Sequence, residues 1–271
     1  MPPRRRSSGA SSASSAVAAA AHPSQPRRSS RGGGGRAAAR PREEALKKLQ
    51  DWAEVLKGTE QGAGEVHEGI VASAAGAEFA QHGDAEVRMW AAKVLCEGLR
   101  IFAPTPPLNE RQRKATLQLL LEQLASLATP KGQWFEHALG LLDALTEIRA
   151  FMLIFESKAP EEEEALLATL LAACLAAARA DENDALQGRL AKLLADVFGE
   201  VDNFPKAILR TLLSELGPSS SPGGGVGRHR RVAARSSDLV RRVLAGIAHR
   251  NAAMSVNEHL IAELYPPATA A

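Results

Sequence analysis

Apolar residues recur every three or four positions from about residue 43 to the end of the chain, the spacing of helix faces packed on a core. Leu117, Leu120, Leu121, Leu124 and Leu127 form one such stripe. Val87, Ala91, Val94, Leu95, Ile101 and Phe102 form another, and a longer one runs from Trp134 through Ala138, Leu141, Leu142, Leu145, Ile148 and Met152 to Phe155. Further stripes run from Leu167 to Leu175, Leu186 to Val197, Ile208 to Leu216 and Leu239 to Ile247. No segment alternates with period two for long enough to predict a strand. The chain is expected to be all-α, with helix starts near residues 43, 64, 84, 110, 132, 160, 184, 204, 236 and 255. Asp84, Asn109, Asp181 and Asn203 are the expected N-caps, because their side chains accept orphan amide hydrogens. Glu161 to Glu164 fall in a first helical turn, where the macrodipole favours negative charge.

Paired, the starts 64/84, 110/132 and 160/184 repeat at roughly 46 to 50 residues, close to the period of HEAT and armadillo arrays. A four-helix bundle needs fewer and longer helices. The spacing therefore predicts an α-solenoid of antiparallel helix pairs over residues 43–271. Gly217 to Arg235, with a Pro-Ser-Gly run and an Arg-rich half, reads as a flexible insertion. The last helix, near Val256 to Leu264, runs into Tyr265-Pro266-Pro267 with no polar capping repeat. On that ground the chain is expected to be the front part of a longer array.

Charge separates the two parts of the chain. Residues 1–42 hold nine arginines and no acid, leaving 24 basic against 31 acidic residues in the rest, so a basic tail precedes an acidic body. The tail is Ser, Ala, Gly and Arg and has too little apolar surface to offset the entropy of ordering, so it is expected to be disordered. Its composition suits an organelle transit peptide, a nuclear or nucleic-acid-contacting arm, or a plain solvated linker. Eleven aromatic residues in 271 are too few for a typical β-sandwich or barrel, and two cysteines exclude a disulfide framework. No apolar run is long enough to span a membrane.

Little chemistry accompanies the helices. His67 and Glu68 form no metalloprotease motif, and His82, His137, His249 and His259 stand alone. Cys96 and Cys174 fall on or beside apolar stripes, as small hydrophobes do. Neither a phosphate-binding loop nor a nucleophile elbow is present. The chain is therefore not expected to be an enzyme, to carry a cofactor or metal, or to take a small-molecule substrate. Partner binding is the expected activity, since solenoids present extended surfaces to other proteins. Arg228, Arg230, Arg231, Arg241 and Arg242 are the candidates for a weak DNA or chromatin contact through phosphate.

The stretch from Asp84 to Pro107, DAEVRMWAAKVLCEGLRIFAPTPP, resembles the early repeats of the cohesin-associated HEAT-repeat family called precocious dissociation of sisters. Members carry a helix of the form D-x-x-V-R…A-x-x-L…R-I-Y/F-A-P-x-A-P. Leu119 to Leu127, Phe135, Leu141-Leu142 and Phe151 to Glu156 follow the same family's pattern. The resemblance implies a nuclear scaffold that binds the cohesin complex and its release and protection factors and modulates sister chromatid cohesion. It also implies that short peptide motifs dock at Arg100, Ile101, Phe102, Ala103, Pro104 and Pro107. This chain departs from the pattern at Thr105, where the family has an acid, and at Pro106, where it has alanine. Losing the acid removes a partner for a basic motif residue. A generic solenoid adaptor and a nucleic-acid-binding protein acting through the Arg-rich tail and loop remain alternatives.

Overall fold

Helices account for nearly all of the regular structure. The computed structural model of the protein describes residues 34–63, 65–181, 183–216, 228–248 and 256–257, with side chains from residue 41 in the first helix and 231 in the last long one. The helices are α1 (Gly34–Lys57), α2 (Glu68–Ala74), α3 (Ala77–Ala80), α4 (Ala85–Ile101), α5 (Glu110–Ala125), α6 (Phe135–Glu147), α7 (Pro160–Ala180), α8 (Asp184–Phe198), α9 (Lys206–Leu216) and α10 (Arg228–Ile247). Among the described residues there is no strand, and no helix is long and apolar enough to cross a membrane.

Neighbouring helices define two layers. α1, α4, α6, α8 and α10 follow one another in the first, and α3, α5, α7 and α9 in the second, with α2 and α3 together packing on α4. Successive first-layer helices begin at Ala85, Phe135 and Asp184, so one repeat is about fifty residues. The core lies between the layers and is mostly leucine: Leu49, Leu95, Leu120, Leu142, Leu170 and Leu194 are fully buried. Each such side chain contributes about 2 kcal/mol of transfer free energy. Cys96 and Cys174 sit within this core as free thiols, and burial pushes both up to about 12.

Ion pairs join one repeat to the next at the surface. Arg113 holds Glu156 at 2.7 Å, Arg149 holds Glu200 at 2.8 Å and Arg189 holds Asp143 at 3.0 Å. Lys114–Glu162, Arg179–Glu215 and Arg242–Asp184 continue the series. Exposed pairs of this kind add little stability individually. Their spacing of roughly one repeat makes them register marks between neighbouring helices.

Caps explain where several helices start. Asp84 accepts the amides of Glu86 and Val87 at the head of α4, and Asn109 forms a capping box with Gln112 at the head of α5. Arg42 of α1 lies 2.8 Å from Asp84, and its hydrogen bond holds that carboxyl below its ordinary value against the opposing effect of burial. A carboxyl lowered in the folded state stabilises the fold above its unfolded pKa and stops doing so as pH falls through the folded one. Asp84→Ala is expected to cost about 1 kcal/mol at neutral pH, the usual value of a lost N-cap. In urea titrations that gap between wild type and variant should close as pH drops below 3.8, the ordinary aspartate value.

Several boundaries differ from the sequence expectations. Helix α1 begins at Gly34, so residues 34–42 of the expected tail are helical; alanine and arginine are strong helix formers. The helix expected near residue 64 is a short 3-10 turn, Glu65–His67, followed by α2 and α3, which Gly76 separates in an extended conformation. The long stripe from Trp134 to Phe155 is not one helix: Arg149 takes a left-handed conformation at φ 53° and the remainder is 3-10, Ala150–Glu156. Asp181 terminates α7, and Asn183 caps α8 instead. Asn203 caps nothing, because α9 begins three residues later, with the Leu209 amide bonded to the Pro205 carbonyl. Helix α10 begins at Arg228, not near 236, so the Arg-rich half of the expected insertion is helical. It docks there through Arg235, whose guanidinium reaches the Arg179 carbonyl at 3.0 Å. Residues 217–227, and the last helix apart from Val256 and Asn257, lie outside the described residues, as do residues 1–33.

Candidate functional site

The segment from Arg100 to Pro107 lies at the C-terminal end of α4. Phe102 ends that helix with φ −94° and ψ 7°, its amide still bonded to the Gly98 carbonyl. Proline at 104, 106 and 107 then prevents helix from resuming and removes three amide donors. Leu108 is buried, its amide bonded to the Pro106 carbonyl at 2.7 Å, and Asn109 starts α5. The five residues 103–107 are therefore a short ledge anchored at both ends by buried side chains, Ile101 and Leu108.

The ledge rests on the segment that follows α1. The Arg100 guanidinium donates to the carbonyls of Leu56 at 3.1 Å and Thr59 at 3.0 Å, while Glu97 holds its Nε at 2.8 Å. The Ile101 carbonyl accepts the Gly62 amide at 2.9 Å, and the Ala103 carbonyl accepts from Gln61 at 3.4 Å. Gly62 has φ +84°, a conformation that disfavours any other residue there. Nothing in the sequence pattern marks residues 58 to 63 as the support of this ledge. Gly62 is a turn signal there, but a glycine alone does not say what the turn supports.

This arrangement divides the expected docking residues. Ile101 is completely buried, so it packs beneath the ledge and is not available to a peptide, contrary to its expected place in the contact set. Arg100 is occupied by two carbonyls and Glu97, which gives it a positioning role. Phe102, Ala103 and Pro107 are half-buried, and Pro104 is exposed beside Thr105. These four, Phe102, Ala103, Pro104 and Pro107, are the apolar members of the expected set that keep exposed surface. Thr105, in the place of the family's acid, leaves the exposed tip uncharged.

The arginines of α10 are more dispersed. Arg241 pairs with Asp238 at 3.3 Å and Arg242 pairs with Asp184 of α8. Arg231 is exposed, whereas Arg228 and Arg230 are placed only along the helix backbone. Two of the five candidates for phosphate contact are thus already neutralised by carboxylates, which lowers the charge offered to a polyanion. Among the described residues no cluster of histidine, cysteine and acid is arranged to hold a metal ion.

Comparison with known proteins agrees with this architecture. The chain resembles a protein in the solved structure titled "Structure of the Pds5-Scc1 complex and implications for cohesin function", with a TM-score of 0.63 at 20% identity. That match covers 84% of this chain and 33% of the other. "Sister chromatid cohesion protein PDS5 homolog E" of Arabidopsis thaliana is 22% identical over 140 residues, which is 52% of this chain and 14% of the plant protein. The chain thus spans a third or less of the length of these relatives. Its residues 43–252 match the family model described as "Sister chromatid cohesion protein PDS5 protein". Because that match takes in α4, the ledge and every later helix up to α10, the chain belongs to the PDS5 family of sister chromatid cohesion proteins.

Proposed function

We propose that this chain is a non-enzymatic scaffold that binds the cohesin complex and modulates sister chromatid cohesion in the nucleus. Short peptide motifs of cohesin release or protection factors dock at the ledge formed by Phe102, Ala103, Pro104 and Pro107. The observation that carries the docking part is the division of the motif. Arg100 and Ile101 are used internally, whereas the next residues form an apolar surface that is already fixed. A fixed surface loses little conformational entropy on binding, so even a short peptide gains net affinity. Phe102 supplies aromatic area and Pro104 the exposed edge.

The test is a pull-down from nuclear extract with the full chain, read by mass spectrometry for cohesin subunits and their regulators. Wild type should enrich them, and the double variant Phe102→Ala, Pro104→Ala should lose the regulators by about tenfold or more, as removal of a central anchor does. Far-UV circular dichroism should stay within error of wild type, because Phe102 lies beyond the last turn of α4 and Pro104 is exposed. Thr105→Asp should strengthen capture of any regulator whose motif carries a basic residue. Absence of cohesin from the wild-type eluate, or loss of helicity in the double variant, would contradict the proposal.

A further inference from the structure

Along the outer side of the first layer, α1, α4 and α6 enclose a groove of about 340 Å³. Its floor is small or flat: Ala53 from α1, and Gly140, Leu141 and Ala144 from α6. A Cβ added at Gly140 would meet nothing within 4 Å, so the space above that residue is open. One wall is Trp90 of α4, with the Lys93 ammonium 4.5 Å from its ring centroid. The same ammonium lies 3.2 Å from Nδ1 of His137 on α6. The His137 ring in turn stands 5.8 Å from that of Trp134.

Lys93 is a half-buried cation with no carboxylate in ion-pair range among the described residues. Its polar neighbour, His137, is a second basic group. Burial alone pushes the Lys93 ammonium below its ordinary value. Burial and then the Lys93 charge push His137 down, against the weaker upward pull of Glu136 and Glu86. The other charged groups lining the groove are Glu54 and Lys57 from α1 and Glu97 from α4. Glu97 is already paired with Arg100 at 2.8 Å. The Lys93 ammonium thus donates to Nδ1 of His137 and has no carboxylate partner among the described residues, which leaves its other N–H groups to one anion from outside.

We infer that this groove docks an extended peptide through a single aspartate or glutamate side chain seated on Lys93 beside His137, with flanking apolar side chains on Trp90, Gly140 and Ala144. This surface is separate from the ledge. A polyanion such as a nucleic-acid backbone is disfavoured, because Glu54 and Glu136 flank the cations and would repel successive phosphates. A lone carboxylate presents a single charge to Lys93 and so meets less of that repulsion than a run of phosphates does. Once seated, its charge favours protonated His137, so docking takes up a proton. Affinity therefore rises as pH falls through the histidine range and stops rising where the ligand carboxylate itself protonates.

The probe is the peptide acetyl-Ala-Leu-Asp-Leu-Ala-amide, titrated into the 271-residue chain with carbon-13-labelled histidines. NMR should show the His137 ring signals moving, with a dissociation constant that falls about five- to tenfold between about pH 7.5 and 5.5, the change one shifted histidine gives. The same peptide with Asn for Asp should not bind. Lys93→Gln should abolish binding, and Gly140→Phe should block it sterically without touching the core. His137→Gln should keep binding near its neutral-pH strength but lose the pH dependence. Phe102→Ala should leave all of this unchanged. Equal binding of the Asn peptide, full binding by Lys93→Gln or Gly140→Phe, or a silent His137 at millimolar peptide would overturn the inference.

Discussion

Replacing Phe198 by alanine is expected to lower the unfolding free energy by about 4 kcal/mol, the range for emptying a fully buried phenylalanine site. Phe198 is the last residue of α8 and has no exposed surface. Its ring meets that of Phe204 at 5.5 Å between centroids and 83°, an edge-to-face contact worth about 1 kcal/mol beyond buried area. Phe204 is itself 1% exposed, and Val201 between them is buried. These three side chains close the connection from α8 to α9, so no neighbour is free to collapse into the hole. For a domain whose total stability is on the order of 10 kcal/mol, a loss of this size is severe.

The loss should also be local. Helices of a solenoid contact their neighbours in the array and little else, so damage at one junction weakens that junction first. In Phe198→Ala, α9 and α10 should lose hydrogen-exchange protection while α4 and α5 keep theirs. Urea unfolding followed by circular dichroism gives the magnitude, and exchange mass spectrometry gives the place. A cost under about 1 kcal/mol, the ordinary value for a mild substitution, would show that the connection is not packed as described. Uniform loss of protection would show that the array unfolds as one unit.

That junction also illustrates what the amino-acid pattern reveals and what it hides. The stripe from Leu186 to Val197 made α8 legible, because one apolar face repeats at helical spacing. Phe204 carried no such signal, since it lies between helices and outside every apolar stripe. The caps Asp84 and Asn109 were legible for a local reason: a short acceptor side chain followed by a helical stripe is enough to define them. The break at Arg149 was not, because Ile148, Met152 and Phe155 continue the apolar spacing across a single left-handed residue. Likewise the start of α10 was obscured by arginines that read as a polar loop until Arg235 was seen to reach the end of α7.

Site residues show the same division. The spelling of the Arg100–Pro107 motif could not separate Arg100 and Ile101, which serve the fold, from Phe102, half-buried against the core, and Pro104, which is exposed. That separation depends on carbonyls at Leu56 and Thr59, more than forty residues earlier. The Trp90, Lys93 and His137 cluster was invisible for a related reason. His137 comes 44 residues, about one repeat, after Lys93, and the two meet because α4 and α6 are neighbours in one layer.

The position of α4 matters to both surfaces, and Gly98 sets it. A Cβ at Gly98 would lie 2.7 Å from Cγ2 and 3.0 Å from Cγ1 of Val71 on α2. Val71 is completely buried and β-branched, so it has almost no rotamer to move into. Alanine at 98 gains about 1 kcal/mol of helix propensity but forces an overpacked contact costing about 1 to 3 kcal/mol. The clash should win, because both methyls of a stiff side chain are involved, and Gly98→Ala should be destabilised by about 1 kcal/mol net. Gly98→Val should lose about 3 kcal/mol or more, the upper end of such costs. Val71→Ala removes the obstructing methyls, so the double variant Gly98→Ala, Val71→Ala should be more stable than the sum of the single effects by about 1 to 2 kcal/mol, the coupling expected of residues in contact. Strict additivity in that cycle would mean that α2 and α4 are not held this closely. Because Ile101 and Arg100 fasten the same end of α4 to the segment after α1, displacement of α4 by Gly98→Ala should also weaken ledge docking. The second substitution should recover it, whereas a surface motif independent of helix packing would respond to neither.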